Sequence, residues 1–217
     1  MGRYRASPRS PFWRIGLGAT ELLVPADRLL PEERALAAGA GPRRLAEFAT
    51  GRECARMALS RLGAGAAETA VARDAGGAPT WPQGVIGSIA HCAGWTGAVV
   101  ARAGGAFPGE GLRGIGLDAE PRMPLPAGVL DVVASGPERA AVARLTTEAP
   151  GIPWETVLFC AKEATYKAWY PRHGVVLGHD AVQVSLSASG TFTARALGVR
   201  GRWTVGPRVV VTIAVLA

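Results

Sequence analysis

The residues best suited to chemistry lie in two short segments, GIGLDAEP (residues 114–121) and FCAKEATYKAWY (residues 159–170). Side chains alternate along a strand, so Asp118 and Glu120 are expected to share one face with Gly116. Two carboxylates beside a glycine that leaves room form an oxygen site of the kind that Mg²⁺ prefers. The same acids also fit an ordinary solvated strand face, and the strand alone does not decide between the two.

The second segment contains both lysines of the chain, Lys162 and Lys167, whereas all other basic residues except the histidines are arginines. On a helix, Glu163 and Lys167 stand at positions i and i+4 and share a face, while Lys162 points elsewhere. Such a pair stabilises an isolated helix by about 0.2–0.5 kcal/mol, which is an alternative explanation. If the helix packs near the strand, three carboxylates and a lysine gather around one point. With Mg²⁺ they could hold a diphosphate, because the metal bridges phosphate oxygens and the lysine neutralises the remaining charge.

Two further groups of residues could bind phosphate. Ser88 and His91, within GSIAHC (residues 87–92), offer a hydroxyl and a ring N–H, although a lone histidine at a strand end is commonly structural. Arg44 and Arg52 lie on a predicted helix with Arg56, at separations that are multiples of four. They therefore form one cationic stripe along the helix.

Composition narrows the class of protein. Hydrophobic residues make up 48% and charged residues 19% of the 217, which is typical of a globular protein. No run of about 18 apolar residues predicts a membrane span, and the basic N-terminus lacks the apolar core of a secretory signal. Cys54, Cys92 and Cys160 are odd in number and far apart, which fits neither a disulfide framework nor a zinc site. We expect buried, inert thiols in a reducing cytoplasm.

The net charge of +7 and the pI of about 10.1 predict an anionic partner. Nucleic acid, an acidic protein and a phosphorylated small molecule are all compatible with this charge. The chain has no basic run interleaved with aromatic residues and no zinc-finger spacing, so charge alone does not choose among them.

The hydrophobic patterns predict an α+β protein with strands and helices in segregated runs. Predicted strands cover residues 14–24, 85–91, 95–102 and 112–120, with more strands in 181–216. Predicted helices cover 31–38, 42–62, 137–146 and 154–170. Residues 74–84 form a turn-rich loop. The glycine-rich link 103–111 is the expected boundary between two halves, and no sequence repeat relates them.

Four segments occur in an order and spacing that resemble the Sfp-type 4′-phosphopantetheinyl transferases, in the branch of enterobactin synthetase component D and its actinobacterial relatives. They are GRECARMAL (51–59), GAPTWPQGVIGSIAHCAG (77–94), GIGLDAEP and FCAKEATYKAWY. The resemblance covers roughly residues 40–180, and its four segments are specific only in combination.

The resemblance implies two similar α+β halves with a pseudo-two-fold relation, residues 1–111 and 112–217, with coenzyme A in the cleft between them. It implies transfer of the 4′-phosphopantetheine arm to a serine of an apo acyl or peptidyl carrier protein, with release of 3′,5′-ADP. The carrier could serve fatty-acid, polyketide or nonribosomal-peptide synthesis, including siderophore and other secondary metabolism. A cytoplasmic monomer that uses Mg²⁺, or Mn²⁺ in its place, is expected.

By position, the resemblance also assigns roles to single residues. Asp118, Glu120 and Glu163 would bind the metal, and Glu163 and Lys167 would be catalytic. The coenzyme A contacts would come from Arg44, Arg52, Ser88, His91, Lys162 and Lys167.

The chain departs from the family pattern at one point. Many relatives have a cation where this sequence has Gly76, and the nearest cation is Arg73. Either Arg73 reaches the diphosphate or that contact is absent. Two other functions remain open: a polyanion- or nucleic-acid-binding module, which would explain the charge, and another Mg²⁺-dependent diphosphate enzyme, which would explain the acids. The binding module would have no use for the acids and their lysine.

Overall fold

The computed structural model of the chain describes residues 15–65, 68–74, 76–104 and 111–217. Residue 14, the predicted start of the first strand, lies outside these ranges, as do residues 105–110 of the predicted link. No helix within the described ranges is both long enough and apolar enough to cross a membrane.

The described residues of the first half form three strands and two helices. In order they are β1 (Ile15–Thr20), α1 (Pro31–Leu36), α2 (Pro42–Leu62), β2 (Val85–Cys92) and β3 (Trp95–Arg102), with a 3₁₀ turn at Ala26–Arg28. Proline at the first position of each helix needs no backbone N–H there, and α2 ends at Gly63, which has a φ of 64°. The prediction of α2 is confirmed, whereas α1 ends two residues earlier than predicted.

The second half contains five strands and three helices. They are β4 (Gly114–Pro121), α3 (Val129–Val133), α4 (Gly136–Glu148), α5 (Trp154–His173), β5 (Ser185–Ser187), β6 (Thr191–Ala194), β7 (Val199–Val205) and β8 (Val209–Leu216), with a 3₁₀ turn at Arg195–Leu197. Ser135 caps α4 and accepts a hydrogen bond from the Glu138 amide. The short α3 was not predicted, and α5 continues through Pro171 to His173 instead of ending at Tyr170.

The strands form two antiparallel sheets, one in each half. Their orders are β1-β3-β2 and β4-β8-β7-β6-β5. Helix α2 packs on β1 and β3, helix α5 packs on β4 and β8, and β2 lies against β4. The prediction of an α+β fold is confirmed. Each helix–sheet pair encloses one apolar cluster, and a third cluster, which includes Ile115, Leu117 and Ala119, joins the two sheets.

Each long helix approaches one strand so closely that only glycine fits between them. A Cβ added at Gly16 or Gly18 on β1 would lie 2.1 or 2.2 Å from a carbonyl oxygen of α2. A Cβ added at Gly114 or Gly116 on β4 would lie 1.9 Å from a carbonyl oxygen of α5. The carbonyls belong to Ala58, Cys54, Ala168 and Ala164, respectively. The two halves therefore repeat one packing arrangement, although no repeat is visible in the sequence.

Candidate active site

The two acids of β4 face helix α5. Gly116 faces the Ala164 carbonyl of α5, and alternation along β4 places Asp118 and Glu120 on the same side. The residues between them, Leu117 and Ala119, point into the cluster that joins the sheets. Asp118 is only 5% exposed, and Glu120 is partly buried. The glycines that admit α5 therefore bring its polar side chains within reach of both acids.

Lys167 of α5 meets Asp118 directly. Its Nζ lies 2.6 Å from Asp118 Oδ1, which joins residues 49 positions apart in a hydrogen-bonded ion pair. The other oxygen, Asp118 Oδ2, is buried and has no hydrogen-bond partner. Glu163 lies one helical turn before Lys167 and is likewise partly buried. One strand and one distant helix thus supply three acids and a lysine to a single location.

The acids are close enough to change one another's protonation. Burial, followed by the charge of Asp118, raises the pKa of Glu120 to about 7, and Lys167 opposes the rise. Burial and then Asp118 also raise the pKa of Glu163, against the lowering effects of Lys167 and His179. A cluster in which carboxylates crowd together at a desolvated point is unfavourable unless a cation neutralises it.

These residues fit a divalent cation chemically, although their present arrangement is not that of a metal centre. Among the described residues, no group of three or more His, Cys, Asp or Glu side chains has a geometry that could hold a metal ion. One oxygen of Asp118 is instead bonded to Lys167. Even so, an unpartnered buried carboxylate oxygen and two carboxyl groups with raised pKa values form a hard-oxygen donor set that the single charge of Lys167 does not neutralise.

On the other half, the structure brings Arg44 and His91 together. Arg44 Nη1 lies 3.3 Å from His91 Nε2, and Arg44 also bonds Glu47. Partial desolvation, followed by the charge of Arg44, lowers the pKa of His91, and Lys167 and Asp118 act on the same ring with opposite signs. His91 therefore stands within electrostatic range of the acid cluster. A neutral ring that also adjoins an arginine is suited to a phosphate oxygen.

A cleft of about 670 Å³ lies between the two halves. Its walls include Ser88 from β2, and Tyr166, Lys167 and Tyr170 from α5. Trp81, from the loop before β2, lines it as well, and its indole Nε1 is buried without a hydrogen-bond partner. Lys167 thus links the acid cluster to the cleft between the halves.

Arg52 does not share these contacts. It is 6% exposed, its guanidinium lies 4.1 Å above the Phe48 ring, and its Nη2 donates to the Ala72 carbonyl at 3.5 Å. Burial lowers its pKa to about 10, against the attraction of Glu33. Arg52 is thus held within the first half in this arrangement, and its expected contact with coenzyme A stays a prediction. Arg56, by contrast, is held by buried ion pairs and is structural.

The missing cation at Gly76 is not replaced by Arg73 in this structure. Arg73 Nη2 donates to the Leu36 carbonyl at 2.8 Å, and Gly76 rather than Arg73 lines the cleft. A Cβ added at Gly76 would lie 3.3 Å from the Tyr170 hydroxyl oxygen. Tyr170 therefore faces the position at which many relatives have a cation.

Lys162 requires a correction, because the structure does not bring it to the acid cluster. Its Nζ is 2.8 Å from Glu138 Oε2 and donates to the His179 carbonyl at 2.8 Å, and the residue is 1% exposed. Its charge is therefore satisfied inside the second half, as expected for a residue on another face of α5 than Glu163 and Lys167.

Sequence reasoning did not find Glu138 or His179. Glu138 has a local pattern, the Ser-x-x-Glu of a capping box that begins at Ser135, but that pattern does not predict its burial. His179 is partly buried with its ring 6.3 Å from that of Phe159, and no local sequence pattern predicts this contact.

The three thiols are inert but not equally buried. Cys54 and Cys160 are buried, whereas Cys92 is only partly so. Burial raises the pKa of Cys54 and of Cys92 to about 11, and it also raises that of Cys160. Thiolates are therefore scarce at neutral pH, although the expectation that all three side chains are fully buried was wrong for Cys92.

Comparisons with known proteins agree across most of the chain. A family model described as the 4′-phosphopantetheinyl transferase N-terminal domain matches residues 32–101, and one for the 4′-phosphopantetheinyl transferase superfamily matches residues 114–214. The 4′-phosphopantetheinyl transferase Svp of Streptomyces mobaraensis is 44% identical over 206 residues, 89% of this chain and 80% of the relative. PptT of Mycobacterium tuberculosis is 40% identical over 204 residues, 86% of each chain. Npt of Nocardia iowensis is 39% identical over 192 residues, 84% of this chain and 82% of the relative.

Proposed function

The chain belongs to the 4′-phosphopantetheinyl transferase superfamily and is an enzyme of this kind; from this premise we propose that it transfers the arm of coenzyme A to a serine of an apo carrier protein. The products are the holo carrier and 3′,5′-ADP. Asp118, Glu120 and Glu163 would hold Mg²⁺, or Mn²⁺ in its place, which would neutralise charge on the coenzyme A diphosphate. The observation that carries the proposal is the contact of Lys167 with Asp118 at the edge of the cleft between the halves.

Coenzyme A occupies the cleft, where both halves contact it. Ser88 of the first half and Lys167 of the second half both line the cleft, and each has a polar group suited to a phosphate oxygen. Arg44 and His91 form the second anchor and receive the 3′-phosphate, because their contact places a guanidinium beside an imidazole. Arg52 joins this anchor only if its side chain leaves Ala72.

The carboxylates of the acid cluster position the reacting groups. A bound divalent cation would neutralise the diphosphate and polarise its oxygens. Asp118 has one buried oxygen without a partner, and Glu120 has a pKa of about 7, so both carboxyl groups gain from a cation that removes their mutual repulsion. Lys167 moves from Asp118 towards the diphosphate and offsets the negative charge that grows on the leaving group.

Glu163 removes the proton of the carrier serine. A serine hydroxyl is a weak nucleophile until its proton is taken, and a carboxylate of raised pKa is a better base than an ordinary one. Burial and the charge of Asp118 give Glu163 that raised pKa. The serine oxygen forms a bond to the β-phosphorus, the bond to the oxygen bridging the two phosphorus atoms breaks, and 3′,5′-ADP leaves with that oxygen.

The carrier is the anionic partner that the net charge of +7 predicts. An acidic helix on the carrier would approach faster and bind more specifically to a basic enzyme. Both halves of the cleft come from one chain, so we propose a monomer. The unpaired cysteines fit a reducing cytoplasm.

A mass measurement tests the proposal. The protein is incubated with coenzyme A, Mg²⁺ and a panel of apo carriers from fatty-acid, polyketide and nonribosomal-peptide synthesis, and each carrier is weighed. A carrier heavier by one phosphopantetheine arm, together with 3′,5′-ADP, is expected. Glu163→Gln and Asp118→Ala should nearly abolish the product while circular dichroism stays unchanged. Hydrolysed nucleotide without modified carrier would indicate another diphosphate enzyme, and salt-sensitive DNA binding without a need for Mg²⁺ would indicate a polyanion-binding module.

A further inference from the structure

A buried ion pair lies directly behind the proposed reaction centre. Lys162 precedes Glu163 on α5, is 1% exposed, and bonds Glu138 of α4 and the backbone carbonyl of His179, each at 2.8 Å. A fully buried lysine is rare unless it is paired, and Lys162 has two hydrogen-bond acceptors, one of them a carboxylate. Neither side chain contacts the acid cluster or lines the cleft between the halves.

Glu138 accepts bonds from three parts of the second half. Its Oε1 accepts the Val184 amide at 2.8 Å, and its Oε2 accepts the amide and hydroxyl of Ser135 at 2.8 and 2.9 Å as well as bonding Lys162. Burial alone would raise the pKa of Glu138, but Lys162 and these donors hold it below its usual value. The start of α4, the segment before β5 and the middle of α5 therefore meet at one carboxylate.

The same pair contacts the segment that carries His179. Lys162 bonds the carbonyl of His179, and the imidazole stands 6.3 Å from the ring of Phe159 on α5. His179 also acts electrostatically on Glu163. The pair thus connects the helical turn that carries Glu163 with the histidine beside that turn.

We propose that Lys162 and Glu138 are positioning residues for the transfer reaction, which set the place of Glu163 and of the His179 segment without contacting substrate. The inference rests on the proposed function. It assigns Glu138 a role for the first time and replaces the expected role of Lys162 in coenzyme A binding. Loss of either charge would leave the other buried and unpaired, and α5 would move relative to α4 and to the His179 segment.

The first half contains an ion pair, Glu33 with Arg56, that resembles the pair of Glu138 with Lys162 but does not adjoin the acid cluster. Glu33 bonds Arg56 of α2 at 2.7 Å, and it accepts the Val71 amide at 3.0 Å and the Leu30 amide at 3.1 Å. Like Glu138 on α4, Glu33 is buried at the third position of its own helix, α1, and joins that helix to a long helix and to a loop. It therefore provides a control for stability alone.

The two cations differ in a way that suits their surroundings. Arg56 reaches Glu33, Glu53 and the Arg28 carbonyl with two nitrogens, as a fork can. Lys162 reaches two acceptors from one nitrogen in a fully buried site, where the larger guanidinium would not fit without displacing its neighbours. This contrast explains why a chain rich in arginine has lysine at position 162.

The experiment compares Glu138→Gln and Lys162→Met with Glu33→Gln. All three are expected to lower Tm, but at saturating coenzyme A and carrier only the first two should lower kcat, by tenfold or more, while kcat of Glu33→Gln stays within twofold of wild type. The double variant Lys162→Met with Glu138→Leu removes both charges and should recover Tm without recovering kcat. Equal kcat losses in Glu138→Gln and Glu33→Gln, or recovery of kcat in the double variant, would overturn the proposal.

A spectroscopic readout separates this proposal from the proposed function. The chain has three histidines, so the ring signals of His91, His173 and His179 can be assigned by NMR. The His179 signal should shift in Glu138→Gln and Lys162→Met, but not in Glu33→Gln. An unchanged His179 signal would refute the positioning role. Failure of the wild-type protein to modify any carrier would refute the proposed function, and the His179 signal would then decide the positioning role by itself.

Discussion

Replacement of Glu120 by Gln should make the metal-free protein more stable above neutral pH, although it removes a functional residue. The pKa of Glu120 is about 7 in the folded chain, against an ordinary 4.5. Between pH 4.5 and pH 7 the folded state therefore keeps a proton on Glu120 that the unfolded chain releases. The contribution of this protonation to the free energy of unfolding is complete below pH 4.5 and is lost as the pH rises through 7.

The magnitude follows from the same two values. Their separation corresponds to about 3 kcal/mol, and because Glu120 is only partly buried, solvent screening reduces this to roughly 1.5 kcal/mol. The Glu120→Gln variant has no titrating group at this position, so it does not lose this stability as the pH rises. In a chain of this length, roughly 1.5 kcal/mol changes Tm by about 3–6 °C. The Tm of the variant should thus exceed that of wild type by about that amount at pH 8.5, and by much less at pH 5.

The assay is thermal unfolding followed by circular dichroism in EDTA at pH 5 and pH 8.5, with Glu32→Gln as the control at an exposed carboxylate. Saturating Mg²⁺ at pH 8.5 should raise the Tm of wild type more than that of Glu120→Gln, since a ligand stabilises the state that binds it. If the difference in Tm between wild type and Glu120→Gln is the same at both pH values, Glu120 does not have the raised pKa on which this reasoning depends.

Three further predictions address binding and packing. Arg44→Ala should raise KM for coenzyme A about tenfold and KM for 3′-dephospho-coenzyme A less than twofold, because one charge-assisted bond is worth about 1.5 kcal/mol or more; equal increases would remove Arg44 from the 3′-phosphate site. KM for the carrier should rise between 50 and 300 mM NaCl, because the Debye length is about 10 Å at 0.1 M and added salt screens exposed charges. A constant KM would contradict recognition of the carrier by charge. Gly116→Ala should lower Tm sharply and abolish transfer, because its Cβ would stand 1.9 Å from the Ala164 carbonyl oxygen and separate α5 from β4; a variant with wild-type Tm would show that α5 can shift at no cost.

The chemistry on each single element could be predicted from the sequence. Because side chains alternate along a strand, Asp118 and Glu120 were predicted to share one face of it. Because residues four apart share a face of a helix, Glu163 and Lys167 were predicted to lie side by side. These regularities are local, and so was the prediction that Lys162 points away from Glu163. That β4 and α5 meet was inferred only from resemblance, and the contact of Lys167 with Asp118 agrees with it.

The partners of buried charges could not be predicted in this way. The resemblance assigned Lys162 to coenzyme A by position, whereas its partner Glu138 lies on another helix. The resemblance also assigned Arg52 to coenzyme A, but neither it nor the helical spacing reveals that Phe48 and Ala72 hold the guanidinium. Such pairings depend on how helices and loops pack, and no periodicity encodes that.

The four glycines that admit the long helices have an evolutionary consequence. Aligned on those close approaches, Asp118 corresponds to Thr20 on β1 and Glu120 to Leu22 just beyond that strand, while Lys167 corresponds to Met57 and Glu163 to Glu53 on α2. Only the Glu163 position has an acid in both halves, and Glu53 is already paired with Arg28 and Arg56. The framework is thus doubled whereas the complete set of acids and lysine occurs once, so the equivalent positions of the first half can differ without altering that set.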